Sequence, residues 1–172
     1  MKTLILSTVT WLTLAGWLNA GPADQPYQGS AEFERMKSLA GVWKGKADMG
    51  QGLMEITVEY RLVAGGSAVE ERLFAGTPKE MLTVYHDQQG KLALTHYCML
   101  HNRPSMQLKS ADKQTLKFDF DAACGIDAKS ETHMHSLVLT FVDPDTITHN
   151  WKLFEGGKAK DDHAFTFKRV KT

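Results

Sequence analysis

The chain predicts an all-β domain: about ten short antiparallel strands forming an up-and-down β-barrel, closed by a short N-terminal helix. Three observations carry this reading. Apolar and polar residues alternate with period two along most of the chain, as half-buried strands require. Clusters of Gly, Pro, Asn and Asp recur at short, even intervals, and tight turns between sequential neighbours favour a meander. A helical period appears once, at Ala31 to Leu39, where Phe33, Met36 and Leu39 share one face.

Residues 1–20 are expected to lie outside this domain. Lys2 supplies a basic start, Leu4 to Leu18 carry no charge, and Leu18-Asn19-Ala20 ends the run with a small residue. That is the composition of a secretory signal peptide, shorter than the about 20 apolar residues of a membrane span. Its removal places the mature protein in the periplasm or outside the cell, with no membrane insertion. Residues 21–30 read as a flexible lead-in, and residues 31–172 as the barrel domain.

The clearest strand runs from Met54 to Leu62, where Met54, Ile56, Val58, Tyr60 and Leu62 alternate with Glu55, Thr57, Glu59 and Arg61. Gly65-Gly66 then turns the chain into a strand over Ser67 to Phe74. Further turns are expected at Gly76-Thr77-Pro78, Gln88-Gln89-Gly90, Asn102-Arg103-Pro104, Ala111-Asp112-Lys113, Asp143-Pro144-Asp145 and Gly156-Gly157. One longer loop falls over Asp121 to Ser130.

The 20 basic and 20 acidic residues balance and form no basic cluster, which argues against a nucleic-acid partner. Cys98 and Cys124 are the only cysteines. In an oxidising compartment a disulfide between them is the expectation.

At Gly41-Val42-Trp43, behind the helix, the chain resembles the opening of calycins, the superfamily of lipocalins and fatty-acid-binding proteins. The resemblance implies a barrel over residues 31 to 170, with Trp43 at its closed end packed on a basic residue of the last strand, here Arg169. Both are then structural. The strand count is closer to fatty-acid-binding proteins and haem-binding nitrobindins than to eight-stranded lipocalins. Nitrobindins hold haem iron through a histidine of the last strand, where this chain has His163, although their glycine-rich stretch after the Trp is not reproduced in Lys44 to Gly52. Leu94-Thr95-His96-Tyr97-Cys98 and His133-Met134-His135 also resemble segments of a group of exported bacterial proteins.

Strand parity sorts side chains into interior and exterior. His96 shares parity with Leu92 and Leu94, His133 and His135 with Leu137 and Leu139, His149 with Ile147 and Trp151, and His163 with Phe165 and Phe167. Burying Val69 and Leu73 turns Glu71 inward, where a carboxylate needs a partner. Two uses follow. Glu71, Tyr85, His96, His133, His135, His149, Trp151 and His163 suit the few polar anchors of a mostly apolar pocket holding a hydrophobic or aromatic guest, haem included. Alternatively, His96, His133 and His135 suit Zn²⁺ or Cu²⁺, with Cys98 joining them only if it is reduced. A purely structural polar network accounts for the same residues. A His/Glu acid–base enzyme ranks behind binding, because the chain carries no nucleophile elbow, P-loop or zinc-protease helix.

Overall fold

The computed structural model describes residues 27–48 and 52–171. The expected signal peptide and residues 21–26 of the lead-in lie outside the described residues. After a helix α1 (Ala31–Lys37) come β1 (Gly41–Asp48), β2 (Leu53–Val63), β3 (Ala68–Leu73), β4 (Met81–Gln88) and β5 (Lys91–Tyr97). They are followed by β6 (Ser105–Ala111), β7 (Thr115–Phe120), β8 (His133–Asp143), β9 (Thr146–Glu155) and β10 (Lys158–Arg169). Each strand pairs antiparallel with its sequence neighbours, and β1 pairs with β10, so ten strands close into a barrel. Closure pairs every backbone edge, which an open sheet of this length would leave exposed. No helix among the described residues is long and apolar enough to cross a membrane.

Period-two alternation holds where both ends of a strand are covered and fails at the rims. In β2, Ile56, Val58 and Tyr60 are buried, whereas Met54 and Leu62, of the same parity, are 41% and 47% exposed. Leu62 reaches past the covered interior at one rim and Met54 at the other. Gly45 of β1 lies so close to β10 that a Cβ there would come within 2.2 Å of the Thr166 carbonyl oxygen. The two backbones could approach no further with any larger residue.

The helix lies against the end of the barrel where β4 finishes and β1 begins. Ser30 caps it, accepting from Phe33 N at 3.2 Å, and its own N–H and hydroxyl donate to Asp87 at the end of β4, at 2.6 and 2.8 Å. The α-helix stops at Lys37. Leu39 N bonds back to the Met36 carbonyl at 3.0 Å, and this tighter turn still delivers Leu39 to the core.

Trp43 is fully buried beneath this corner. Its Nε1–H donates to the Leu39 carbonyl at 2.8 Å, and the Arg169 guanidinium lies 4.1 Å from its ring centroid. Arg169 is the register partner of Trp43 and donates to the Ser38 and Ala40 carbonyls at 2.8 and 2.9 Å. One side chain thereby satisfies the carbonyls left over at the end of α1 and covers an aromatic face.

Candidate ligand cavity

The middle of the barrel is packed rather than empty. Val58, Tyr60, Val69, Tyr85, Leu94, Met106, Leu116, Leu137, Leu139 and Phe167 are all at most 1% exposed. Within this apolar filling runs a polar belt. Tyr60, Glu71, Thr83 and His96 are successive register partners across β2, β3, β4 and β5, so they form one row on the inner face. Glu71 is completely buried together with Val69 and Leu73, the inward orientation that their shared parity predicts. Tyr85 donates its hydroxyl to Glu71 Oε2 at 2.7 Å, and Thr83 donates to Oε1 at 3.4 Å. Both tyrosine hydroxyls of the belt, Tyr60 and Tyr85, are held well above the ordinary phenol range, first by burial and then by the charge of Glu71.

On the other side of the interior, His149 Nε2 lies 2.7 Å from the Tyr60 hydroxyl, while its Nδ1 has no partner among the described residues. Burial holds His149 below the ordinary histidine range. His96 is 1% exposed, its Nδ1 2.9 Å from Thr83 Oγ1, and desolvation lowers its pKa to about 4. Both rings are therefore neutral at physiological pH.

Beyond this belt, at the end of the barrel remote from α1, a cavity of about 210 Å³ opens. Its wall is apolar, with Leu73, Phe74, Met81, Met134, Leu153 and Phe165 as its main surface. His96, Cys98, Trp151 and His163 also line it without presenting polar surface to it, and the exposed Lys79, Met99 and Leu100 stand at the rim. The His96 and Trp151 rings are 4.6 Å apart between centroids. Trp151 is 2% exposed, and its Nε1–H has no hydrogen-bond partner among the described residues. Phe74 reaches the wall from a left-handed backbone (φ 59), which a bulky residue adopts only at some cost.

Of the side chains predicted to meet a ligand, the structure places His96, Trp151 and His163 on the cavity wall. Glu71, Tyr85 and His149 belong to the buried belt behind it. His133 and His135 form a separate cluster. A bulge in β8 between Met134 and Ser136 breaks the register with β9, and simple alternation does not carry through it. Met134 therefore faces the cavity, while His135 stacks on Phe154 at 3.7 Å and on Phe120 at 5.2 Å. His133 Nδ1 donates to the Glu131 carbonyl at 2.7 Å, and its Nε2 lies 2.9 Å from His135 Nδ1. His135 Nε2 then faces Asp119 Oδ1 at 3.8 Å. Burial, His133 and Lys109 lower the His135 pKa against the opposing pull of Asp119. Among the described residues, no group of three or more His, Cys, Asp or Glu side chains is placed to hold a metal ion.

The cysteines correct one expectation. Cys98 and Cys124 form no disulfide, and both are free, half-buried thiols. Cys98 lies in the loop after β5 and Cys124 in a single 3₁₀ turn (Ala122–Cys124) after β7. They border the same outer groove without bridging it, and burial raises the Cys98 pKa. An oxidising compartment decides whether a bridge persists, not whether two Cβ atoms meet at bridging distance. The two loops are joined instead by Asn102 Nδ2 donating to the Thr132 carbonyl at 2.8 Å.

Sequence reasoning missed Thr83, Tyr60 and Met134. Thr83 shares strand parity with Tyr85 and was legible from it, whereas Met134 needed knowledge of the bulge. No protein-family model matches the chain, and no curated protein matches it.

Proposed function

We propose that this protein is an exported, calycin-like barrel that holds a small hydrophobic or aromatic ligand, with α1 closing one end and the cavity receiving the guest at the other. The observation that carries this reading is the apolar cavity of about 210 Å³ at one end of an otherwise filled barrel. A mostly apolar concavity with few placed polar groups is the usual design of a small-molecule site. Its volume lies between the about 150 Å³ that holds benzene and the about 300 Å³ at which sites for drug-sized ligands begin. That size favours a compact guest over haem, although His163 is on the wall. The metal reading has less support, since His96 stands with Thr83 and Trp151 while His133 and His135 pair elsewhere. An acid–base role for His96 has less support too, because a ring with a pKa of about 4 is a weak base at neutral pH.

The test is a melting scan of the full chain with p-xylene or cyclohexane, beside a Leu153→Trp variant that fills the cavity. A guest at ten times its Kd stabilises by about 1.4 kcal/mol, so the melting temperature rises by several degrees in the parent and stays unchanged in the variant. No rise in the parent with either guest, and none retained in native mass spectrometry, removes the proposal.

A further inference from the structure

We propose that Phe74 determines the length of guest this site admits, because its ring walls the cavity off from a second apolar compartment and so restricts binding to compact hydrocarbons. This rests on the ligand-binding reading above and specifies which guests that site selects.

The second compartment, of about 250 Å³, has Met54, Ile56, Ala75 and Pro78 in its wall. Phe74 and Lys79 line both this space and the inner cavity. Lys79 is exposed at the rim, and a long solvated side chain makes a poor partition. Phe74 is different. It is 4% exposed, belongs to the same packed core as Ile56, and meets Phe165 of the inner wall edge-on at 6.2 Å between ring centroids. The inner cavity alone, about 210 Å³, is smaller than the about 300 Å³ at which sites for drug-sized ligands begin, and the two spaces joined would exceed it.

The backbone shows that this ring is held in place. Phe74 has φ 59, a conformation that glycine adopts freely and bulky residues adopt at a cost. Such strain persists where the surroundings impose it. Here the Phe74 carbonyl accepts from Thr77 N at 3.1 Å and from Thr77 Oγ1 at 2.8 Å, and Ala75 N donates to the Thr57 carbonyl at 3.1 Å. Glu80 closes the loop, accepting from Arg72 Nη2 at 2.7 and 2.8 Å and from Gly76 N at 2.7 Å. A ring on so braced a loop is a fixed wall rather than a lid. Since the inner cavity presents no polar surface, hydrocarbons that differ only in length probe that wall.

The probes are the n-alkylbenzenes from toluene to n-hexylbenzene, with dissociation constants measured calorimetrically on the full chain. Each methylene that finds room adds about fourfold in affinity. In the parent this gain is expected to stop before the end of the series. In Phe74→Gly, which accepts the left-handed backbone without strain, the gain continues and n-hexylbenzene binds about tenfold or more tighter than in the parent. A Phe74→Gly/Met54→Trp double variant fills the second compartment and restores the cut-off, which simple enlargement of the inner cavity would not do. In the parent with methyl-labelled methionines, toluene shifts the Met81 and Met134 methyl resonances and leaves Met54 unmoved, a readout independent of how the variants fold. If the series binds but the gain runs unbroken in the parent, or stops at the same length in Phe74→Gly, or toluene moves Met54 in the parent, this inference falls and the binding role stands. If no member of the series binds the parent, both fall.

Discussion

The two ends of the barrel are built on opposite principles. At the end against which α1 lies, the strands turn back through residues 64–67, 89–90, 112–114 and 144–145. There Phe33, Met36, Leu39 and Trp43 are at most 1% exposed. Arg35 reaches the carbonyls of Asp112 and Lys113 and lies over Phe141, and Arg169 ties β10 to the end of α1. At the other end the connections include residues 74–80, 98–104 and 121–132, and Met99 and Leu100 are 50% and 41% exposed. Short turns let side chains from every strand meet above the rim and exclude space. Longer loops hold the rim apart and leave the cavity. One set of strands thus separates a stabilising end from a receptive one, as loops on a rigid scaffold commonly do.

This contrast breaks or sharpens under mutation. Trp43→Ala is expected to cost about 3–5 kcal/mol, the range for deleting a buried aromatic, and to lower the melting temperature by roughly 10 °C or more. Leu100→Ala at the opposite rim is expected to stay within about 0.5 kcal/mol. Chemical denaturation of the pair measures the difference directly, and equal losses would erase the distinction between the ends.

Acid probes the belt between them. A histidine kept neutral by burial binds fewer protons folded than unfolded, so it contributes stability above its unfolded pKa and withdraws it as pH falls. For His96 that window runs from 6.5 down to about 4, and the loss is about 3 kcal/mol across it. His149 and His135 act in the same direction. Denaturation midpoints are expected to fall steadily between pH 6.5 and 4, and His96→Gln to make that slope shallower. A slope unchanged in the variant would mean that His96 takes no part.

A smaller effect separates charge from geometry at the end beside α1. Arg169→Lys keeps the cation but not the planar fork that donates to Ser38 and Ala40 and stacks on Trp43. The expected loss is about 1–2 kcal/mol, read from denaturation midpoints, with cavity binding of p-xylene unaltered. Weakened binding would show that the two ends are coupled.

What the chain alone made legible is local. The alternation in β2, the glycine and Asx turns and the single helical period were enough for ten strands, their order and a meander. Parity also placed Glu71, His96, His149 and Trp151 inside. All of these depend on neighbours in sequence, through backbone pleat and turn chemistry. Tertiary structure decided what depends on neighbours in space: how far the interior fills, which end stays open, and which strand carries a bulge. The bulge in β8 sends Met134 to the cavity and His133 and His135 to their own cluster, and no local residue signal announces it. Whether Cys98 and Cys124 meet was likewise a matter of where two loops finish. Side-chain volume summed across ten strands sets the cavity, and no window along one strand contains that sum.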